Sequence, residues 1–321
     1  MQTTIIHGPG DVRFEERPDP QIQSPGDAVV RVVRTCVCGS DLWSYRGVRP
    51  TPTPHPIGHE FIGIVEAVGA EVNTLRVGDF VIAPFTDSDG TCVHCRNGIT
   101  TSCVNFGVWG GATKSGEPLD GAQGQYVRVP FADGTLLKVP DSPDEELYPH
   151  LLSLADVMST GHHAARAGNV RPGATVVVVG DGAVGLCAVL ASKRLGAERI
   201  IAMSRHEDRQ KLAQEFGATD IVAERGDEGI AAIEELLGGI GADSVLECVG
   251  TKDSMRQALG AVRPERPIVL DPSDERPQPL RLDPVDDLPP LALPAHEPGA
   301  LQRGEVDWVE QPVMDLVPSL R

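Results

Sequence analysis

Residues 174–196 read ATVVVVGDGAVGLCAVLASKRLG, and this stretch decides half of the fold. The β-branched apolar run at 174–179 predicts a buried parallel strand. Three glycines then follow at GxGxxG spacing, and an apolar stretch at 186–195 has helical length before Gly196. A lone GxGxxG is a weak signal, but a strand, this turn and a helix in succession indicate a dinucleotide-binding unit with the pyrophosphate at the helix N-terminus. The predicted cofactor-binding residues of the turn are Gly180, Asp181, Gly182, Ala183, Val184 and Gly185.

Strands and helices keep alternating after this turn. The apolar pattern predicts strands at 199–203, 220–222, 243–248 and 268–270, and helices at 228–237 and 252–262. Such alternation is typical of a doubly wound parallel sheet. The pattern before residue 150 differs, since short β-rich runs at 28–33, 62–68 and 80–83 are separated by Gly and Pro. That part is predicted to be an irregular, barrel-like β domain.

The end of the second predicted strand bears on which nicotinamide cofactor binds. NAD enzymes place an acidic residue about 20 positions after the fingerprint, where it binds the ribose 2′-hydroxyl. Ser204 stands 19 residues after Gly185, and Arg205 and Arg209 follow it. A small hydroxyl with two arginines suits a 2′-phosphate, so NADP(H) is favoured over the alternative, NAD(H). The competing interpretation is that both arginines are solvated charges on a helix face.

A compact cluster of thiols predicts a structural zinc site. Zinc in closed structural sites takes four tetrahedral ligands, and a carboxylate oxygen is an acceptable donor beside cysteine sulfur. The spacing D-x2-C-x2-C-x7-C supplies four candidates, although His94 competes for the corner assigned to the aspartate. The alternative is three buried or redox-active cysteines without metal. The predicted ligands are Asp89, Cys92, Cys95 and Cys103.

A second candidate set is dispersed along the chain. It consists of Cys38 in the sequence CGSD, His59 and Glu60 in GHE, and Asp156 in DVMSTG. A catalytic zinc takes three protein ligands and keeps a fourth position for water or substrate. Each of these residues alone is weak evidence, because a lone cysteine is more often a small core residue and a lone His-Glu pair is more often solvated.

These motifs, with Gly78-Asp79, the thiol cluster and the glycine turn, closely resemble the medium-chain zinc-dependent alcohol dehydrogenases over about residues 1–263. The resemblance implies an α/β protein in which a GroES-like β-rich catalytic domain precedes a Rossmann domain, with Val249 in a turn close to the cofactor. It implies that Cys38, His59 and Asp156 bind a catalytic zinc. Further roles implied by the resemblance are substrate hydrogen bonding by Ser40, approach to the metal by Glu60 and cofactor contact by Thr160. The proton-relay histidine of some members is not matched, since Trp43 stands three residues after Ser40.

Length and charge agree with two domains and a tail. A chain of 321 residues is predicted to comprise a zinc-binding catalytic domain (1–149), a dinucleotide-binding domain (150–271) and a Pro-rich acidic tail (272–321). A net charge of −18 argues against nucleic acid. Neither a signal peptide nor an apolar run of membrane-spanning length is recognised. Seven cysteines, four of them committed to metal, favour the reducing cytoplasm.

The tail departs from the resemblance, because residues 264–321 contain 12 of the 27 prolines. Proline blocks both helix and sheet hydrogen bonding, so the segment is predicted to be poorly ordered and the parallel sheet to be incomplete at the C-terminus. Two hypotheses follow. The first is an active enzyme that uses two zinc ions and NADP(H) on a small alcohol or aldehyde and forms a homo-oligomer if the tail permits. The second is a catalytically weak or defective zinc-binding protein. A zinc-free quinone reductase is opposed by the intact ligand sets.

Overall fold

The computed structural model describes residues 1–48, 51–264 and 266–270, so the predicted tail at 272–321 lies outside the described residues. No helix in these ranges is long and apolar enough to cross a membrane. The first part of the chain is rich in strands. Its strands are β1 (Gln2–Gly8), β2 (Asp11–Glu16), β3 (Ala28–Thr35), β4 (His55–Pro56), β5 (Phe61–Val68), β6 (Phe80–Ala83), β7 (Tyr126–Val129) and β8 (Leu137–Lys138).

Two antiparallel sheets form from these strands. One has the order β7-β3-β5-β6-β8 and the other the order β2-β1-β4. The pairing of β3 with β5 shifts register twice, and such irregularities bend and twist a strand. Phe61 packs edge-on against Trp109 in the core between the strands. The short helices of this part are α1 (Asp41–Tyr45), α2 (Val93–Arg96), α3 (Ala132–Thr135) and α4 (Tyr148–Ser153), with 3-10 turns at Thr100–Ser102 and Glu145–Leu147.

The second part is a parallel sheet with helices on both faces. Its strand order is β11-β10-β9-β12-β13, with β9 in the middle. One face packs on Leu186 and Ala188, and the other on Ile233 and Ala258. The elements are α5 (Val157–Ala167), β9 (Thr175–Val179), α6 (Ala183–Arg194), β10 (Arg199–Met203), α7 (Glu207–Phe216), β11 (Asp220–Val222), α8 (Gly226–Leu236), β12 (Ser244–Glu247), α9 (Lys252–Ala261) and β13 (Ile268–Leu270).

The predicted fold class is confirmed, and the predicted strands lie within two residues of the observed ones. Helix α6 was placed too late, since it begins at Ala183 rather than at residue 186. The reason is that Ala183, Val184 and Gly185 already form the first helical turn. Gly182 precedes them as the N-cap residue, with an extended backbone. The dinucleotide turn and the helix therefore overlap in sequence.

The chain passes from the first part to the second through α4. The predicted boundary at residues 149 and 150 lies inside this helix. Leu151 and Ala155 pack with Ile62, Phe80 and Ile82, so the helix belongs to the core beside β5 and β6. Helix α5 begins directly afterwards and packs against α6. A division of the chain into domains near residue 150 stays a prediction.

Candidate metal and cofactor sites

Four predicted side chains from three separate segments converge on one point. Cys38, His59, Glu60 and Asp156 each direct a ligand atom into a cluster in which these atoms lie within 4.8 Å of one another. Asp156 Oδ2 lies 4.0 Å from Cys38 Sγ and 3.5 Å from His59 Nε2. Ser40 Oγ also lies 3.5 Å from His59 Nε2. The arrangement combines a thiol, an imidazole and a carboxylate with a neighbouring hydroxyl.

Local structure explains how each segment reaches this point. Cys38 and Ser40 lie in the turn that leads into α1, and His59 and Glu60 directly precede β5. Asp156 is the residue before α5, and its backbone carbonyl accepts the Thr160 N–H at 2.8 Å. The cluster therefore lies where α1, β5 and α5 begin, and these elements hold its side chains in place.

Carboxylates dominate the electrostatics of the cluster. Burial alone would lower the pKa of His59, but hydrogen bonding to Asp156, Asp41 and Cys38 raises it to about 12. For the carboxyl group of Glu60 burial has the opposite effect: it raises the pKa, and this residue is only 1% exposed. A buried set of acidic groups that stabilises one positive charge is the environment in which a divalent cation binds.

The donor set fits zinc. Zinc accepts thiolate, imidazole and carboxylate ligands, and three protein ligands leave a position open for substrate. His59 Nδ1 lies 3.3 Å from Asp41 Oδ1, which leaves Nε2 as the nitrogen that faces Cys38 and Asp156. Such a carboxylate behind a ligating histidine commonly sets the ring orientation in zinc sites.

The cysteine lobe forms the second cluster. The ligand atoms of Asp89, Cys92, Cys95 and Cys103 also lie within 4.8 Å of one another, and His94 is not in the group. Cys92 Sγ and Cys95 Sγ are 3.5 Å apart. Two sulfurs on one tetrahedral zinc lie about 3.8 Å apart, given Zn–S bonds of about 2.3 Å. The spacing of these thiols therefore fits a shared ion.

Backbone N–H groups in this lobe stabilise the negatively charged forms of its thiol and carboxylate side chains. The Cys95 N–H donates to Cys92 Sγ at the start of α2, and such contacts lower the pKa of Cys92 to about 7. Asp89 Oδ1 accepts the N–H groups of Thr91 and Cys92 at 2.7 and 2.8 Å. Asp89 Oδ2 accepts Asn105 Nδ2–H at 2.9 Å. These bonds orient the Asp89 carboxylate toward the three thiols.

The predicted cofactor turn lies at the carboxyl edge of the parallel sheet. Gly180 has φ +116°, a conformation that favours glycine, and follows β9 directly. A Cβ on Gly185 would overlap the Gly180 carbonyl, so the turn and α6 pack too closely for a side chain there. Nothing lies within 4 Å of a Cβ built on Gly182, which leaves open space above the helix start.

A cavity of about 550 Å³ opens beside this turn. Three predicted cofactor residues, Gly180, Ser204 and Val249, line it, together with unpredicted residues such as Met203, Arg225 and Thr251. Arg205 and Arg209 do not line it. Arg205 is exposed, whereas Arg209 Nη1 donates to Asp181 Oδ1 at 2.9 Å. Thr160 lies elsewhere, beside the cluster of candidate zinc ligands, where its hydroxyl donates to Asp156 Oδ1 at 2.7 Å.

Known proteins resemble most of this chain. The family described as alcohol dehydrogenase GroES-like domain matches residues 24–141, and the family described as zinc-binding dehydrogenase matches residues 183–272. A medium-chain reductase/dehydrogenase of Acremonium is 36% identical over 272 residues, which are 82% of this chain and 90% of that protein. The chain belongs to the medium-chain zinc-type alcohol dehydrogenases.

Two further similarities support this membership. Zinc-type alcohol dehydrogenase B of Aspergillus flavus is 37% identical over 273 residues, and the match covers 82% of this chain but 61% of that relative. The solved alcohol dehydrogenase of Thermus sp. ATN1 superposes with a TM-score of 0.78 at 35% identity and covers 86% of this chain and 79% of its own. The chain therefore spans about three fifths of one curated relative and nine tenths of another.

Sequence reasoning missed three residues that shape the sites of this zinc-type alcohol dehydrogenase. Asp41 holds His59 and also accepts the Cys38 N–H at 2.9 Å, and its place in the CGSD motif was the available signal. The Cys36 thiol donates to Glu60 Oε2 at 2.9 Å, and it stands outside both predicted ligand sets. Arg225 lines the cofactor cavity from the loop between β11 and α8, where no motif marks it.

Proposed function

We propose that the protein is a zinc-dependent oxidoreductase that transfers a hydride between an alcohol, aldehyde or ketone and a nicotinamide cofactor. The observation that carries this proposal is the cluster of Cys38, His59, Glu60 and Asp156, which lies beside the Ser40 hydroxyl in a chain that also has a dinucleotide turn. The grouping of all predicted ligands favours the active enzyme over the catalytically weak alternative.

In this proposal Cys38, His59 and Asp156 hold the catalytic zinc. A bound zinc ion would act as a Lewis acid that polarises the substrate oxygen and lowers the pKa of an alcohol. Ser40 lies beside His59 Nε2 and is the hydroxyl that would bind the substrate oxygen and take up or release its proton. Glu60, buried beside the ligands, would approach the metal position when water and substrate exchange.

A second zinc would stabilise the lobe. Asp89, Cys92, Cys95 and Cys103 are proposed as its four ligands, which fill a tetrahedral shell and leave no position for substrate. Closed sites of this kind contribute to folding rather than to chemistry. With the catalytic ion, the protein would therefore bind two zinc ions per chain.

The glycine turn and the adjoining cavity would bind the cofactor. Gly182 gives the pyrophosphate room to approach, and the N-terminus of α6 favours its negative charge. We propose NADP(H) over NAD(H), because Ser204 removes the acid that would repel a 2′-phosphate and the exposed Arg205 can meet that phosphate with two hydrogen bonds. The seven cysteines all lie in the described residues, and none forms a disulfide. We propose a reducing compartment such as the cytoplasm, because four of these thiols are proposed metal ligands.

Turnover is the direct test. The full chain, loaded with zinc, is assayed with NADPH and a panel of short aldehydes and ketones, and with NADP⁺ and the matching alcohols. We expect turnover in the unmodified protein and a loss of at least about a hundredfold in Cys38→Ala, because substrate positioning on the cluster is lost. Cys187→Ala, which changes a buried thiol in α6 outside the ligand set, is the matched control and keeps its activity. A folded chain with two zinc ions that reduces nothing in the panel rejects the proposal.

A further inference from the structure

Asp181 supplies a carboxylate where the fingerprint turn meets β10. Its Oδ2 accepts the Ser204 hydroxyl at 2.8 Å, and its Oδ1 accepts Arg209 Nη1–H at 2.9 Å. The Asp181 side chain is only 8% exposed, whereas the Arg209 side chain is 56% exposed. The three residues form a hydrogen-bonded group that ties the turn after β9 to the start of α7.

The position of this group matters for cofactor recognition. Ser204 directly follows β10, where dinucleotide-binding proteins commonly carry the acid that binds the ribose hydroxyls. In this chain Ser204 stands where that acid would be. The Asp181 carboxylate of the glycine turn accepts a hydrogen bond from the Ser204 hydroxyl. Ser204 and Gly180 both line the cofactor cavity, so the carboxylate adjoins the wall of that cavity.

We infer that Asp181 lowers the preference for NADP(H) over NAD(H), because its carboxylate favours a free ribose 2′-hydroxyl and opposes a 2′-phosphate. The inference rests on the proposed nicotinamide-dependent function and goes beyond it. Ser204 and Arg205 set a preference for the phosphate, and Asp181 limits the size of that preference.

Two physical effects act in the same direction. The first is repulsion between like charges. Burial alone would raise the pKa of Asp181, but the hydrogen bonds from Ser204 and Arg209 lower it, so the carboxylate is charged at neutral pH. A second anion brought close to it is disfavoured in a partly buried site, where screening by water is weak.

The second effect is competition for partners. Besides Arg205, the Ser204 hydroxyl and the Arg209 guanidinium are the nearby groups that could donate to a 2′-phosphate, and both already donate to Asp181. Binding of the phosphate must break or share these bonds, whereas a 2′-hydroxyl can add to them as one more donor. Arg209 also neutralises part of the Asp181 charge, so the two residues shift the preference in opposite directions.

The test compares affinity for NADPH with affinity for NADH in direct binding titrations of the full chain. Any repulsion between Asp181 and the pyrophosphate is common to both cofactors and cancels in this ratio. Asp181→Asn removes the charge and keeps the size of the side chain. We expect it to raise the ratio of NADPH to NADH affinity roughly tenfold, since removal of one nearby like charge is worth about one decade in affinity. Arg209→Gln is expected to lower the ratio.

The matched control is Asp220→Asn. Asp220 pairs with Arg199 at 2.8 Å, on the same sheet but at its opposite edge, where β10 and β11 begin. This variant loses a similar ion pair without touching the cavity, so its ratio stays at the value of the unmodified protein. Circular dichroism and the unfolding midpoint confirm that each variant is folded, and a misfolded Asp181→Asn leaves Arg209→Gln as the deciding variant.

The outcomes separate this inference from the cofactor preference itself. An unchanged or lowered ratio in folded Asp181→Asn overturns the inference, and so does a raised ratio in Arg209→Gln. Tighter binding of NADH than NADPH to the unmodified protein overturns only the proposed preference, because the shift between variants still decides the role of Asp181. Binding of neither cofactor to the unmodified protein rejects both.

Discussion

The Thr160 hydroxyl donates a 2.7 Å hydrogen bond to Asp156 Oδ1, and this bond leaves Asp156 Oδ2 directed at Cys38 and His59. Both residues stand at the start of α5, so one helical turn sets the geometry between them. Thr160 was expected to contact the cofactor. Its contact with Asp156 supports a positioning role: in the proposed zinc site, Thr160 would hold Asp156 through the oxygen that does not face Cys38 and His59.

Replacement of Thr160 tests that positioning role. Thr160→Val keeps the shape but removes the donor, so Asp156 becomes free to rotate and zinc affinity at this cluster should fall about 10- to 100-fold. The measurement is competition between the zinc-loaded protein and a chelator of known affinity. Thr160→Ser, which keeps a hydroxyl, is the control and should retain most of the affinity. Equal zinc affinity in the valine variant and the unmodified protein would contradict the role.

Metal content distinguishes the two clusters. The unmodified folded chain should contain two zinc ions by elemental analysis. Asp156→Ala should lose the ion near Cys38 and keep the other. Asp89→Ala should lose the lobe ion and lower stability, because closed zinc sites contribute to folding.

His94→Ala is the control for the lobe, since His94 lies outside the ligand cluster. This variant should keep two zinc ions. Loss of zinc from His94→Ala with retention in Asp89→Ala would mean that the histidine, rather than the aspartate, supplies the fourth ligand.

Two glycines of the turn should respond differently to a methyl group. A Cβ at Gly185 would overlap the Gly180 carbonyl, a backbone atom that cannot move cheaply, so Gly185→Ala should lower the free energy of unfolding by about 1–3 kcal/mol. Gly182 has φ −77° and open space around its Cβ position, so Gly182→Ala should change stability by less than about 0.5 kcal/mol.

At Gly182, a methyl group should affect cofactor binding rather than stability. A methyl group there occupies the space through which the pyrophosphate approaches, so NADPH affinity should fall while the unfolding free energy stays nearly constant. Urea unfolding and cofactor titration on the same preparations measure the two quantities. Undiminished affinity in Gly182→Ala would show that the pyrophosphate does not bind at this turn.

Arg205 provides a test of phosphate recognition. Arg205→Ala should weaken NADPH binding roughly tenfold and leave NADH binding nearly unchanged, because a guanidinium bonds strongly to a phosphate and has no such partner on NADH. Lys211→Ala removes an exposed positive charge from α7 and serves as the control for general electrostatics. Equal losses for both cofactors in Arg205→Ala would support the interpretation of this residue as a solvated charge.

Local patterns were enough to predict most of the fold. The apolar run before Gly180 predicted β9 because a strand buried on both faces has few polar residues, and β9 lies in the middle of the sheet. The candidate lobe ligands could be predicted for a similar reason, since a loop with close thiol spacing can wrap a single ion. The start of α6 was misjudged because Ala183, Val184 and Gly185 belong to both the turn and the helix.

The features that depend on neighbours along the chain could be read from the sequence: the alternation typical of a parallel sheet, the glycine turn and the candidate lobe site. Which distant side chains meet depends on the tertiary structure. Cys38 and Asp156 are 118 positions apart and converge because β3, which precedes Cys38, and α5, which follows Asp156, are each held in a core. Asp181 and Ser204 are 23 positions apart and meet because β9 and β10 pair in parallel and end at the same edge. Such contacts depend on packing between elements, and no periodicity along the chain encodes them.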